Sequence, residues 1–434
     1  MVIFRLIRGK ILLLLLLFMI LPPASALGQS TIKGGVSLEH GYDSNINREP
    51  ENEVYESTTT LSPSLDYVRK GRRASFSLGY APGFVYSYLT EDLRIDHMAT
   101  AGYEHALTRK LRLDFSNRFV RTQDPYEIGE GVGVGVEISD RRGRRTYWSN
   151  NFSAGGSYTY GEQRVVQMGY QNSVLENRQG TYSDYVRHSP SASVSHRINH
   201  QWDTRLVYGF ERGYFDEPRD TDISEDLTRN SGDFYLYYSI TPFTRVFSHL
   251  GYSRTDYDEK PDDYEVYTAS AGAEHQYSRS FSLSADVGVS MVERKYFPDE
   301  EALYLSARAD KKWQRTSWYL GASGGLDAQE FTGVSDLGLS RYWSVSTGID
   351  RDLMRSVNGS VNFSYREDTY LERDPAADER HFEASARISW SFARWYRIYG
   401  RYIFVTRDAD IDSDNYDDHR VFVGISAEKD LFRW

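Results

Sequence analysis

The sequence contains no cysteine. That excludes a disulfide framework, a cysteine-based metal site and a lipid carried on an N-terminal cysteine, so the fold must hold by itself. Beyond residue 26 no stretch approaches the roughly 18 consecutive apolar residues of a membrane helix, and the mean hydropathy is −0.59. A helical membrane protein is excluded. A transmembrane β-barrel is not, because its strands alternate lipid-facing apolar with lumen-facing polar residues and keep mean hydropathy low.

Catalytic signatures are also scarce. There is no H-E-x-x-H string and no phosphate loop, and the ten histidines are scattered without ligand spacing. Gly321 to Gly325 fits G-x-S-x-G, but a nucleophile elbow needs a strand-to-helix turn, and this string lies inside a strand pattern. The expectation is a non-enzyme without cofactor or metal. An excess of positive charge is absent as well, with 51 basic against 62 acidic residues, which argues against nucleic acid as a partner.

What is present begins with Arg5, Arg8 and Lys10, an apolar run from Ile11 to Leu21, Pro22-Pro23 and Ala24-Ser25-Ala26. This is the layout of a secretory signal peptide cleaved near Ala26. The apolar run of 11 residues is too short for the roughly 20 that span a bilayer. Domain organisation then reads as a signal peptide over 1–26 and one domain over 27–434. Taking the three basic leader residues from 51 leaves 48 against 62, a net charge of −14 for the mature chain.

Aromatic residues make up 15% of the chain, with 34 Tyr, 21 Phe and 8 Trp, a bias expected where rings meet a membrane–water interface. One unit recurs along the mature sequence: alternating strand, short polar turn, alternating strand, longer acidic loop. Nine short turns fall at Gly71-Arg72-Arg73, Arg109-Lys110, Gly161-Glu162, Asn199-His200, Thr241-Pro242, Ser278-Arg279, Gln314-Arg315, Met354-Arg355 and Ala393-Arg394. Their spacing is mostly 35 to 42 residues, stretching to 52 across the loop 123–145. A fixed period means one repeated supersecondary unit. Nine turns joining ten hairpins predict an all-β, up-and-down antiparallel barrel of about 20 strands, or 18 if a pair merges, with short periplasmic turns and long acidic extracellular loops.

Alternation within strands agrees. Leu111, Leu113, Phe115 and Phe119 share one face against Arg112, Asp114, Ser116 and Arg118, and Phe281, Leu283, Ala285, Val287, Val289 and Met291 oppose Ser282, Ser284, Asp286, Gly288 and Ser290. Rings such as Tyr86, Tyr88, Tyr252, Tyr257, Tyr365 and Tyr370 crowd strand ends, which a soluble sandwich has no need of. With the apolar face toward lipid, the expected channel-lining set is Arg112, Asp114, Arg118, Arg205, Glu211, Asp286, Arg294, Arg308, Asp310, Arg366, Arg387 and Arg401, with Asp203 and Glu383 beside them. These residues suit a channel for anionic or polyhydroxylated solute, or they pair with one another across strands. So wide a barrel is not filled by side chains alone.

Two features resist the pattern. Pro63, Pro82 and Pro190 fall inside strand patterns; a closed barrel has no free edge for them, so bulges or strand ends are expected. In the last strand Val421, Val423, Ile425 and Ala427 share a face, but Phe432 and Trp434 have the opposite parity. A C-terminal aromatic of this kind resembles the signal read by the outer-membrane barrel-insertion machinery, and the parity break makes the match partial.

The acidic loops end in Asp408, Asp410, Asp412 and Asp414. Alternate carboxylates are possible calcium ligands, but the glycine and closing glutamate of an EF-hand are missing, and a solvated loop is the plainer reading. Divalent cations bridging such loops to lipopolysaccharide are an intermediate case. The glycine-rich loop 123–145 either folds inward as a constriction or extends outward.

The opening Leu38-Glu39-His40-Gly41-Tyr42-Asp43-Ser44-Asn45-Ile46-Asn47, followed by Leu61-Ser62-Pro63-Ser64-Leu65, together with hairpins of the form Tyr-x-x-x-Tyr before an acidic loop, resembles the "Putative beta-barrel porin 2" family of outer-membrane proteins. Similar proteins are encoded in exopolysaccharide gene clusters, including those associated with exosortase systems. The resemblance implies an outer-membrane conduit or accessory for secreted polysaccharide, working with a periplasmic export protein and an inner-membrane synthesis complex, and it supplies no catalytic residues. A general diffusion porin for small solutes is the alternative, and a barrel enzyme or a non-conducting barrel is a third class.

Overall fold

The computed structural model describes residues 28–124, 145–178, 183–216, 224–259, 263–328, 331, 338–371, 377–410 and 415–434. Twenty strands follow one another: β1 (Gln29–Asp43), β2 (Glu56–Lys70), β3 (Ala74–Ser87), β4 (Leu93–Ala106), β5 (Leu111–Thr122), β6 (Tyr147–Gly161), β7 (Arg164–Asn177), β8 (Asp184–Arg197), β9 (Trp202–Asp216), β10 (Leu227–Thr241), β11 (Thr244–Tyr257), β12 (Tyr264–Ser278), β13 (Phe281–Arg294), β14 (Glu300–Lys312), β15 (Thr316–Ala328), β16 (Leu339–Met354), β17 (Val357–Tyr370), β18 (Ala377–Ala393), β19 (Tyr396–Ala409) and β20 (Tyr416–Arg433). Each pairs antiparallel with its sequence neighbours, and β1 pairs with both β2 and β20, which closes the barrel. Closure removes the free edge that an open sheet would expose.

All nine short turns join an even-numbered strand to the next odd one. Five sit one residue later than the sequence pattern suggests, at Glu162-Gln163, Pro242-Phe243, Arg279-Ser280, Arg355-Ser356 and Arg394-Trp395. The start of β1 and the end of β20 lie on this same side, where Ser30 and Trp434 exchange backbone hydrogen bonds of 2.8 and 3.0 Å.

The faces are inverted relative to a soluble protein. Leu38, Val287 and Val423 are 47, 55 and 57% exposed on the outside, while Glu211, Asp286 and Arg366 are buried on the inside. An exterior of this kind is stable only against an apolar solvent.

The prolines correct the sequence expectation: they mark neither bulges nor strand ends. The β2–β3 ladder runs to Leu61↔Phe84 and resumes at Leu65↔Tyr80 in unchanged register, so Pro63 lies opposite Pro82. A strand residue directs its N–H and C=O to one neighbour only. Both imide nitrogens face the same seam, and the lost bonds fall at one place instead of two. On their other sides Pro63 pairs with Val36 and Pro82 with His97 without interruption. Pro190 behaves alike: the β8–β9 ladder skips from His188↔Arg212 to Ser191↔Gly209, while Tyr170↔Pro190 is kept on the β7 side.

The parity break in β20 is resolved by a bulge. Ile32 pairs with Phe432 but Lys33 pairs with Asp430, so Leu431 is the extra residue. It returns Phe432 to the outward face shared with Val421 and Val423, and Trp434 lies 6.5 Å from the outward Tyr67. Gly34 makes room for this, since a Cβ there would meet Leu431 Cδ1 at 2.7 Å.

Candidate functional site: the lumen wall and outer mouth

Register and alternation place all twelve expected lining residues on the inward face, and the structure shows what each meets. Glu211 on β9 accepts from Arg187 Nε at 2.7 Å and lies 3.4 Å from Arg229. Arg308 and Asp310 form a two-bond pair of 2.7 and 2.9 Å within β14. Arg366 on β17 donates to Asp368 at 2.6 and 2.7 Å and to Asp327 on β15 at 2.7 Å, over the Tyr342 ring. Arg294 reaches the carbonyls of Pro298 and Leu371. Arg387 and Arg401 lie over Tyr399 and Phe422, at 5.6 and 4.4 Å from the ring centres. Arg112, Asp114, Arg118 and Arg205 line β5 and β9. Among these residues Glu211 and Arg366 pair with charges on other strands, and Arg308 with Asp310 inside one strand.

Rings also face inward, a feature that the sequence pattern leaves unnoticed. Phe247, Tyr319, Tyr399 and Phe422 each pack over a glycine of the next strand, at Gly272, Gly348, Gly424 and Gly41, where any Cβ would collide with the ring. A bare glycine beside a large ring lets that ring lie against the wall instead of crossing the lumen. Tyr399 spans β20 in this way and donates to Glu39 on β1 at 2.8 Å. The inward glycines of alternate strands are the sequence signal for this arrangement, but register is needed to pair them with rings.

One cluster has the components of a nucleophilic triad. His249 Nε2 donates to Asp233 at 2.9 Å, and its Nδ1 lies 3.4 Å from Ser270 Oγ. The serine hydroxyl instead donates to Asp286 at 3.1 Å. The backbone N–H groups of these strands are held in ladders, which leaves no pair of donors to stabilise an oxyanion. The arrangement is a hydrogen-bonded belt in the wall, with Tyr235 stacked on His249 at 4.3 Å. Ser323 of the G-x-S-x-G string is likewise structural, lying mid-strand in β15 and bonded to Ser344 Oγ at 2.7 Å.

Two contacts cross the barrel at the long-loop end. Asp124, just after β5, meets Arg420 on β20 at 3.1 and 3.2 Å, across the four intervening strands β1 to β4. Arg420 also lies 3.2 Å from Asp43. Phe331, from the β15–β16 connection, packs on Phe215 and Tyr185 at 5.1 and 5.4 Å and lies under the Arg187 guanidinium at 4.6 Å. Leu227, Tyr257, Tyr264, Val292 and Leu339 form a buried apolar cluster beside it. The mouth is therefore narrowed by described residues on two sides. Positions 125–144 of the glycine-rich loop, and Asp412 and Asp414 of the suggested calcium ligands, lie outside the described residues.

The family model described as "Putative beta-barrel porin 2" matches residues 167–429. No curated protein matches. Among solved structures, the siderophore receptor PirA from Pseudomonas aeruginosa superimposes with a TM-score of 0.51 at 9% identity, over 92% of this chain and 80% of that one. The FrpB iron transporter from Neisseria meningitidis (F5-1 variant) superimposes with a TM-score of 0.54 at 9% identity, over 92% of this chain and 82% of that one. At such identities the likeness is one of fold.

Proposed function

Because this chain belongs to the Putative beta-barrel porin 2 family and is a porin-type β-barrel of the outer membrane, we propose that it conducts exopolysaccharide outward, as a conduit or accessory to an export system. The observation that supports this most is the inward layer of rings and guanidiniums at Tyr319, Tyr399, Phe422, Arg308, Arg387 and Arg401. Flat rings and flat guanidiniums suit the faces and hydroxyls of sugar residues, which bind weakly and repeatedly as a polymer slides. The twelve inward charged residues are the proposed channel lining. A periplasmic export protein would dock at the short-turn side, and the segment 1–26 would be removed on secretion. Swelling of vesicles holding the refolded protein, in oligosaccharides of rising length, tests this: entry continuing to long chains supports a conduit. A sharp cut-off at a few sugar units would instead support the second reading, a diffusion porin for small solutes, which the Asp124–Arg420 bridge across the mouth favours.

A further inference from the structure

Seven of the ten histidines lie on the outward face, where a lipid-facing wall has no ordinary use for them. Five have Nδ1 hydrogen-bonded to a tyrosine hydroxyl: His97 to Tyr80 at 2.9 Å, His105 to Tyr103 at 2.9 Å, His188 to Tyr170 at 2.7 Å, His196 to Tyr160 at 2.9 Å and His419 to Tyr402 at 2.8 Å. The other two, His40 and His275, are bonded to Thr59 at 3.0 Å and to Thr244 at 2.8 Å. A phenol donating to Nδ1 fixes the proton of the neutral ring on Nε2. Each tyrosine-bonded imidazole therefore keeps a second donor for a group outside the protein.

Their heights are not random. On β4 His97 and His105 are eight residues apart, and on β8 His188 and His196 are eight apart. At about 3.3 Å per residue and a tilt of about 40°, eight residues span roughly 20 Å along the membrane normal, close to the apolar band of such barrels. The upper and lower imidazoles bracket that band. Only the upper ones have arginine as their register partner on the next strand: His97↔Arg121 and His188↔Arg212, against His105↔Leu113 and His196↔Thr204. Arg212 is committed to Asp258 at 2.5 and 2.8 Å. Arg121 has no hydrogen bond or ion pair among the described residues, and on its far side it pairs with Trp148.

We propose that His97 and Arg121, with Tyr80 setting the tautomer and Trp148 beside them, form a binding site for a lipid A phosphate of the outer leaflet. The occupant follows from position and charge: a fixed cation and an imidazole donor, with no facing carboxylate among the described residues, at the loop-side rim of the apolar band, where the anionic groups of lipopolysaccharide lie. The site rests on the barrel being in the outer membrane with its long loops outward. It does not depend on what passes through the lumen.

The test uses the full mature protein refolded in phosphatidylcholine vesicles, with folding of every variant checked by heat-modified gel mobility. Diphosphoryl lipid A and a phosphate-free counterpart are added, and retained lipid is counted by native mass spectrometry. The expected result is tighter retention of diphosphoryl lipid A, reduced about tenfold in H97Q/R121Q, the effect of losing charge-assisted bonds to one phosphate. H105Q/H196Q, at the opposite rim, is expected to retain lipid as the parent does. Equal retention by H97Q/R121Q and the parent overturns the site, as does equal retention of the phosphate-free lipid or loss confined to H105Q/H196Q. Conductance unchanged in H97Q/R121Q is expected, which keeps the result separate from the export reading.

Discussion

Arg366 offers the sharpest test of how the lumen wall is held. It is 6% exposed, makes three bonds of 2.6 to 2.7 Å to Asp368 and Asp327, and faces the Tyr342 ring. Asp368 is 2% exposed and also accepts from Ser340 at 2.8 Å. R366M preserves the length of the side chain but removes the cation that faces a buried carboxylate. Breaking one partner of such a pair costs about 3–5 kcal/mol. Replacing both is far milder, so R366M/D368N should recover most of that loss. Urea titration in phosphatidylcholine vesicles, followed by tryptophan fluorescence and heat-modified gel mobility, measures both. R366M within about 0.5 kcal/mol of the parent, or no recovery on adding D368N, refutes the reasoning.

Other outcomes follow from the same geometry. P63V/P82V restores two N–H donors facing one seam, which should stabilise the barrel by about 0.5–1.5 kcal/mol per bond and slow amide exchange in β2 and β3. Asp258, in the β11–β12 loop, is held below the usual carboxylate range by its bonds to Arg212. A lowered folded-state value means its contribution is present above the unfolded-state value and fades as pH falls through the folded one. D258N should therefore destabilise by under about 1 kcal/mol at neutral pH, and the difference should vanish in strongly acidic urea titrations. G424A pushes the Tyr399 ring off the wall into the lumen and should lower single-channel conductance, with Y399A in the same background restoring it.

The architecture was legible because its determinants are local. Alternation with a period of two, the nine turn strings and their spacing depend on neighbours in sequence, and they yield strand number, sidedness and the inward set. What stayed hidden depends on register, which is non-local. Pro63 looks like a defect until it is found opposite Pro82. Phe432 has the wrong parity until Leu431 is seen to bulge against Gly34. The histidines look scattered because the tyrosines that bind four of them lie on other strands, up to 36 residues away. Asp124 and Arg420 are 296 residues apart, and nothing in either segment announces that they meet across the mouth.

The central claim is that this barrel is an open conduit whose wall engages a sugar polymer. Single-channel recording of the refolded mature protein in a planar bilayer, with and without the polysaccharide, tests it most directly. The account predicts a steady large conductance that the polymer blocks reversibly, and less readily in Y319A/Y399A. A conductance indifferent to polymer contradicts the export reading, and no conductance at all contradicts the channel.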